Sequence, residues 1–249
     1  MKKAAIFSIA AVLVLAYSCR KEDKQVVQGI TQQEAADIVE AGVSDEYGGV
    51  SMELRDLTAN IVFPTNKNGS GDLATDVFHL CDTTVTDTIQ NSGSGGQISW
   101  SFYFDYSNTY TCDSASHLES IHTVTHKSGD YQGPHRSCDY NANADLTITG
   151  LAPGNHTVTY DGTLHRQGSH SFTDKNGNTT SANATLDVTL NQVVVTRFLG
   201  MTQSGTADFT LSGTNAQGTA FNYSGSIQFL GNHKAILTIN GNTYNIRVW

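Results

Sequence analysis

Alternation of apolar and polar residues at every second position is the feature that most constrains how this chain can fold. Because successive side chains of a β-strand point to opposite sides, such a pattern predicts half-buried strands. Its clearest example is residues 98–106, where one face would carry Ile98, Trp100, Phe102, Phe104 and Tyr106. The alternation returns in Leu146 and Ile148, Leu186, Val188 and Leu190, Phe209 and Leu211, Phe221 and Tyr223, Ile227 and Phe229, and Leu237 and Ile239.

Clusters of turn-forming residues separate these alternating segments. They are residues 91–96 (NSGSGG), 153–155 (PGN), 175–178 (KNGN) and 240–241 (NG). Asn-Gly between alternating segments is a strong hairpin signal, since both positions accept a positive φ. The gaps are too short for the helical crossovers that parallel strands need. We therefore predict a mainly β fold over residues 61–249, an antiparallel meander, sandwich or barrel-like sheet.

A short helical segment is predicted ahead of the sheet, over residues 31–60. Thr31 and Glu34 have the spacing of a capping box. Apolar residues at helical spacing follow, and Gly48 and Gly49 divide them into two groups. Two helices of this length cannot bury enough apolar surface alone, so we expect them to pack against the sheet.

The first eighteen residues have the pattern of a signal peptide. Lys2 and Lys3 precede an apolar stretch over residues 4–15. That stretch is too short to span a membrane, which takes about 20 apolar residues. Residues 1–18 are therefore predicted to be removed from the mature protein.

The residues around Cys19 resemble the lipobox of bacterial lipoproteins. Residues 16–18 (AYS) precede the cysteine, and residues 20–24 (RKEDK) are similar to the signal that sends Bacteroidota lipoproteins to the outer face of the outer membrane. The resemblance implies that Cys19 carries a diacylglycerol and an amide-linked acyl chain, with residues 19–30 as a lipidated tether. The periplasmic face of the outer membrane, or secretion of the free protein, is the alternative.

The body of the chain resembles Bacteroidota lipoproteins of about this length whose activity is uncharacterised. The resemblance rests on Cys81, a second cysteine about thirty residues later, the Gly-Thr pairs of the second half, and the closing residues 240–244 (NGNTY). It implies an envelope location and an all-β body. It implies no reaction and no catalytic residues.

The cysteines that follow Cys19 are candidates for oxidation in an exported protein. If residues 91–96 turn a hairpin, Cys81 and Cys112 lie on flanking strands, and this is the favoured disulfide. Cys112 with Cys138 is the second choice. A nucleophilic cysteine would need a histidine beside it in the fold.

A group of histidines is the candidate for metal chemistry. His117, His122, His126 and His135 lie close together in the sequence. Zinc sites need three or four converging ligands, and these spacings match no zinc motif. We therefore expect surface histidines, with no metal and no cofactor. Alternation assigns Trp100, Phe102, Phe104 and Tyr106 to the core. It leaves Tyr103 and Tyr110 as candidate platforms for a sugar.

The charge balance excludes one class of partner. The chain has 14 Lys and Arg against 23 Asp and Glu, a net charge of −9 without a basic run, which argues against nucleic acid as a partner.

The sequence contains no nucleophile elbow, phosphate loop or dinucleotide fingerprint. We expect a non-enzymatic binding module at the cell surface, for a glycan or an envelope or host protein. The alternatives are a hydrolase, metal-dependent or otherwise, that uses the region from His117 to His135, or an envelope carrier of lipid or another small molecule.

Overall fold

The computed structural model describes residues 29–61, 80–152, 154–173 and 176–248. The predicted signal peptide, Cys19 and nearly all of the predicted tether lie outside these residues. Two helices precede ten strands: α1 (Gln32–Val43), α2 (Val50–Asn60), β1 (Thr84–Gly95), β2 (Ile98–Cys112), β3 (Leu118–Gln132), β4 (Arg136–Thr149), β5 (Thr157–Thr173), β6 (Thr179–Thr196), β7 (Thr202–Asn215), β8 (Ala220–Gly231), β9 (Lys234–Ile239) and β10 (Asn242–Arg247).

The two helices begin where the sequence predicts. Thr31 caps α1, since the backbone N–H of Glu34 donates to Oγ1 of Thr31 over 3.2 Å and the N–H of Thr31 donates to Oε2 of Glu34 over 2.7 Å. Gly49 is the N-terminal cap of α2. The predicted helical segment ahead of the sheet is therefore confirmed.

The strands form one antiparallel meander in which each strand pairs with its neighbours in sequence. The alternation predicted for β2 is confirmed, with Phe102, Phe104 and Tyr106 buried and the residues between them more exposed. Asn240 and Gly241 turn the β9–β10 hairpin with φ of +47° and +83°. The 91–96 cluster differs from expectation, because residues 91–95 continue β1 as far as the pair Gly95 and Ile98.

The sheet curls around the helices. Glu40 of α1 lies 3.9 Å from the guanidinium of Arg136 at the start of β4, and its Oε1 accepts a 3.1 Å hydrogen bond from the backbone of Arg247 on β10. In a flat sheet six steps of about 4.8 Å would separate β4 from β10 by roughly 29 Å, whereas a helix is only about 10–12 Å wide. One side chain can reach both strands only if the sheet is strongly curved.

The curl does not close. Within the described residues β1 pairs only with β2, and β10 pairs only with β9. The architecture is therefore the open meander among the predicted alternatives, and neither a two-sheet sandwich nor a closed barrel.

The helices fill the inside of the curl, where they pack mainly on β5, β6, β7, β9 and β10. Hydroxyl groups of Thr58 and Tyr160 share a buried 2.8 Å hydrogen bond that joins α2 to β5. The largest side chains of the core between helices and sheet include Ile38, Leu54, Leu57, Phe104, Leu146, Tyr160, Leu190 and Ile227.

Across residues 29–61, 80–152, 154–173 and 176–248, neither helix is long and apolar enough to cross a membrane.

A disulfide ties the start of β1 to the end of β2. Cys81 and Cys112 are bonded, with Cα atoms 5.4 Å apart. This is the pairing favoured from the sequence, and the register of the β1–β2 hairpin brings the two cysteines opposite each other. Cys138 is a free, buried thiol.

Candidate functional site

A cleft of about 810 Å³ opens on the side where the sheet does not close. One wall is the inner face of β1 and β2, and the other is the turn between the helices together with the start of α2. Arg247 of β10 lies at the far edge. The cleft exists because the helices pack on the later strands and leave part of the inner face of β1 and β2 uncovered. Its lining includes Asp45, Glu46, Tyr47, Met52, Arg55, Asp56, Ile89, Ile98, Trp100, Phe102, Tyr131, Tyr140 and Arg247.

Aromatic rings form the apolar wall of the cleft. The rings of Trp100 and Phe102 lie nearly parallel, with centroids 5.7 Å apart and an interplanar angle of 16°. Tyr47 and Tyr131 meet edge to face, with centroids 4.7 Å apart. Trp100 is partly buried and packs against the core, as the alternation predicts, while part of its ring is exposed to the cleft. It lies beyond the part of β2 that the helices cover.

The two tyrosines expected to serve as sugar platforms lie elsewhere. Tyr110 is 2% exposed, so that expectation is wrong for this residue. Tyr103 is 44% exposed, but it lies on the outer face of β2, opposite the cleft. The sequence signal for an aromatic wall was present in the alternation, but alternation alone does not show where the covering helices stop.

A carboxylate, guanidinium and carboxylate set supplies the polar groups of the cleft. Arg55 forms ion pairs with Asp45 and, over 3.1 Å, with Asp56. Burial raises the pKa of Asp45, while the Arg55 guanidinium acts in the opposite direction. These groups are held in place by one another, so they present fixed hydrogen-bond donors and acceptors to a ligand.

Two charged side chains are buried beneath the aromatic wall. Glu53 of α2 accepts a 2.6 Å hydrogen bond from the hydroxyl of Thr125, and Nζ of Lys127 lies 5.5 Å from the ring centroid of Phe102. Burial raises the pKa of Glu53 and lowers the pKa of Lys127 to about 8, and each group opposes the shift of the other. Neither residue lines the cleft.

Arg166 of β5 fixes the turn that forms one wall. Its guanidinium donates to the carbonyl of Gly48 over 3.0 Å and to that of Tyr47 over 3.3 Å. The same group lies 3.5 Å from the ring centroid of Tyr140, a cation–π contact. Arg166 is therefore a positioning residue for the cleft, and sequence reasoning did not single it out.

Cys138 has a histidine beside it, the arrangement that a nucleophilic cysteine would need. His170 of β5 pairs directly with Cys138 of β4 in the sheet register. Burial raises the pKa of the Cys138 thiol. Burial, then the charges of Arg166 and Arg136, lower the pKa of His170 to about 3. An activated thiolate needs a lowered thiol pKa. Because the pKa of the Cys138 thiol is raised, this pair does not have the character of an activated nucleophile.

The four histidines predicted as candidate metal ligands are not brought together. His117 and His135 lie in the turns at opposite ends of β3, which at about 3.3 Å per residue are roughly 50 Å apart. His122 and His126 share the outer face of β3, where they contact Asp145 over 2.8 Å and Asn143 over 2.7 Å. Within the described ranges no three His, Cys, Asp or Glu side chains are arranged to hold a metal ion.

The closest clustering of functional groups is therefore the cleft and the charged side chains behind it. The cleft joins residues from α2, β1, β2, β3, β4 and β10 that are far apart in the sequence. No protein-family model, no curated protein sequence and no solved structure matches this chain.

Proposed function

We propose that this protein is an exported, lipid-anchored lipoprotein of the bacterial outer membrane whose body is a non-enzymatic binding module at the cell surface. The cleft is its binding site, and a short glycan is the ligand that fits it best. The observation that carries the proposal is the combination, in one cleft of about 810 Å³, of an aromatic wall with a fixed set of carboxylate and guanidinium groups.

The chemistry of a sugar chain matches both parts of the cleft. The C–H face of a pyranose ring packs on aromatic rings such as those of Trp100 and Phe102. Its hydroxyl groups both donate and accept hydrogen bonds, which the carboxylates of Asp45 and Asp56 and the guanidinium of Arg55 can satisfy. A largely apolar cleft with a few fixed polar groups is typical of small-ligand sites.

The described start of the chain is compatible with a lipid anchor at Cys19. The backbone N–H of Gly29 donates to the carbonyl of Ala220 over 3.1 Å, which fixes the end of the predicted tether at the connection between β7 and β8. Ten residues from Cys19 to Gly29 reach at most about 35 Å. The body would therefore stand near the membrane, with that end of the sheet toward it.

Binding is tested by titrating short oligosaccharides into the purified protein, with calorimetry as the readout. Trp100→Ala should weaken binding at least tenfold, because it removes the exposed part of the aromatic wall. Tyr103→Ala is the matched control, since it removes an aromatic side chain from the outer face of the same strand. Equal affinity of the two variants would overturn the assignment of the cleft. Cleavage of the oligosaccharide during the titration would favour the hydrolase alternative.

Anchoring is tested by mass spectrometry of the protein purified from its native membrane, combined with protease treatment of whole cells. We expect a mature N-terminus at Cys19 that carries three acyl chains, and a body that the protease removes from intact cells. A Cys19→Ser variant should lose both the acyl mass and the membrane association. An unmodified N-terminus, or a body that is protected until the outer membrane is broken, would contradict surface display.

A further inference from the structure

Three buried side-chain nitrogens lie without a hydrogen-bond partner among the residues that the structure describes. They are Nε of Arg166, Nη1 of Arg136 and Nδ1 of His170. Arg166 is 3% exposed and His170 is 4% exposed, so bulk water does not satisfy these atoms. Unsatisfied polar groups are rare in protein interiors, and each one calls for a physical explanation.

Two of these residues, Arg166 and His170, lie next to Cys138. His170 is the direct partner of Cys138 across β4 and β5, and facing Cβ atoms in such a pair are about 4.5–5.5 Å apart. Nη2 of Arg166 lies 3.9 Å from Sγ of Cys138. Nη2 is the terminal nitrogen on the same edge of the guanidinium as the Nε–H. The edge of Arg166 that can bind an anion through two N–H groups therefore faces Cys138, the cross-strand partner of His170.

Arg136 brings a second positive charge to the same region. It lies two residues before Cys138 on the same face of β4, with its guanidinium carbon 4.8 Å from the ring centroid of Tyr47. Its Nη2 is near Asp37 and Glu40, at 3.6 Å and 3.9 Å, but these carboxylates leave Nη1 unpaired. Both Arg136 and Arg166 act electrostatically on His170 and on Cys138.

Three side-chain nitrogens of this environment are left unpaired within the described part of the chain. Guanidinium nitrogens donate hydrogen bonds and cannot accept them. Arg166 has no carboxylate within 4 Å among residues 29–61, 80–152, 154–173 and 176–248, and its two oxygen acceptors are backbone carbonyls. Glu53, the buried carboxylate of this region, is hydrogen-bonded to Thr125. A monatomic anion is satisfied by donors alone, whereas a water molecule would also need acceptors for its own hydrogens.

We propose that Arg166 and His170 form a buried binding site for one small inorganic anion of the halide class, with Arg136 contributing positive charge. The anion accepts hydrogen bonds from Nε of Arg166 and from Nδ1 of His170 in its neutral, Nδ1-protonated form. It neutralises the guanidinium that holds the carbonyls of Tyr47 and Gly48, and so stabilises the turn between α1 and α2. The site is separate from the glycan cleft and does not depend on the proposed function.

Bromide is the probe for this site, because it binds as chloride does and scatters anomalously. Crystals soaked in sodium bromide should show an anomalous peak within hydrogen-bonding distance of Nε of Arg166 and Nδ1 of His170. In solution, Tm should rise with bromide concentration and then saturate, by several degrees relative to sodium gluconate at the same ionic strength. A peak without this saturable response would mean binding at crystal concentration only, and would overturn the proposal.

His170→Phe is the decisive variant, since it removes both ring nitrogens and keeps an aromatic ring beside Phe172. His165→Phe is the matched control, because His165 lies on the exposed face of the same strand. We expect His165→Phe to keep the bromide-dependent rise in Tm and His170→Phe to lose it. An equal response of both variants, or a site without an anomalous peak, would overturn the proposal. If His170→Phe does not fold, the peak and the saturable response of the natural protein decide the question.

Discussion

The hydroxyl of Thr125 on β3 lies 2.6 Å from Oε1 of Glu53 on α2, a hydrogen bond that joins the helices to the sheet at a fully buried point. Lys127, two residues further along β3, is the principal opposite charge that acts on this carboxylate. Burial disfavours the charged form of both groups, so each depends on the other for its charge. The contact between α2 and β3 is therefore an electrostatic as well as a packing contact.

Removing only one of these two charges should destabilise the protein strongly. Lys127→Met leaves the carboxylate of Glu53 buried without its main counter-charge, and we expect it to lower the free energy of unfolding by about 3–5 kcal/mol. The double variant Glu53→Gln, Lys127→Met should recover much of that loss. Lys234→Met, at an exposed position of β9, is the control and should change stability by less than about 0.5 kcal/mol.

Urea unfolding followed by circular dichroism provides the measurement for this series. The expected order of stability is the natural protein, then the double variant, then Lys127→Met. A single variant as stable as the double variant would show that Glu53 does not depend on Lys127.

His170 should make the protein sensitive to acid. Its pKa is about 3 in the folded protein, against an ordinary value of 6.5, because burial and the charges of Arg166 and Arg136 disfavour the imidazolium. Between these two pH values the unfolded chain holds a proton that the folded protein does not. Stability is therefore lost as the pH falls from about 6.5 toward 3, at up to about 1.4 kcal/mol per pH unit from this group.

The measurement is urea unfolding of the natural protein and of His170→Phe at pH 6.5 and pH 4.5 in halide-free buffer, because a bound anion would favour the imidazolium. The natural protein should lose about 2–3 kcal/mol more than the variant over this interval. The raised pKa values of Asp37 and Asp45 act in the opposite direction, but they are common to both proteins and cancel in the comparison. His165→Phe should follow the natural protein, and parallel profiles for all three would contradict the assignment.

Much of the fold could be predicted because its signals are local. The alternation in β2 and the Asn-Gly turn at Asn240 each report on a few neighbouring residues, and the structure contains both. The capping box of Thr31 and Glu34 is equally local. The curl of the sheet is not local, because it depends on contacts such as that of Glu40 with both β4 and β10.

The charged residues behind the cleft and those of the anion site were harder to predict because they lie on otherwise apolar strand faces. Counting by two along β3 from Ile121 places Lys127 on the buried face, and counting from Leu164 places Arg166 and His170 there. Such residues look like interruptions of a core pattern until their partners are known. His117 and His135 show the opposite case, since they are close in sequence but separated by the whole length of an extended strand.

Reduction of the Cys81–Cys112 disulfide should loosen one edge of the sheet first. The bond closes a loop across a sequence separation of 31 residues, and loop-closure entropy gives it about 3–4 kcal/mol of stabilisation. Strand β1 pairs only with β2 among the described strands, and nearly all of its residues are exposed. The disulfide is therefore a main restraint on β1.

Hydrogen exchange of the oxidised and reduced proteins provides the check. Amides of β1 should lose protection on reduction, while those of β5 and β6, which pair on both sides and pack on the helices, should keep it. A Cys81→Ala, Cys112→Ala variant should behave as the reduced protein does. Uniform loss of protection across the whole sheet would contradict a local role for the disulfide.

Gly48 should tolerate substitution less well than other glycines with the same backbone conformation. Its φ is +67°, and a Cβ atom there would collide with the hydroxyl of Tyr140. Gly241 is the matched control, because its φ is +83° and a Cβ atom would meet nothing within 4 Å. Gly241→Ala should lower the free energy of unfolding by about 1–2 kcal/mol through backbone strain alone.

Gly48→Ala adds the collision to that strain, so we expect a loss of about 3 kcal/mol or more. Because the carbonyl of Gly48 accepts from Arg166, the shift needed to relieve the collision would also move one wall of the cleft. Urea unfolding of the two variants measures the difference in stability, and titration with an oligosaccharide measures the effect on the cleft. Equal losses of stability in Gly48→Ala and Gly241→Ala would show that the turn and Tyr140 are free to move apart, and that Arg166 does not hold the wall in place.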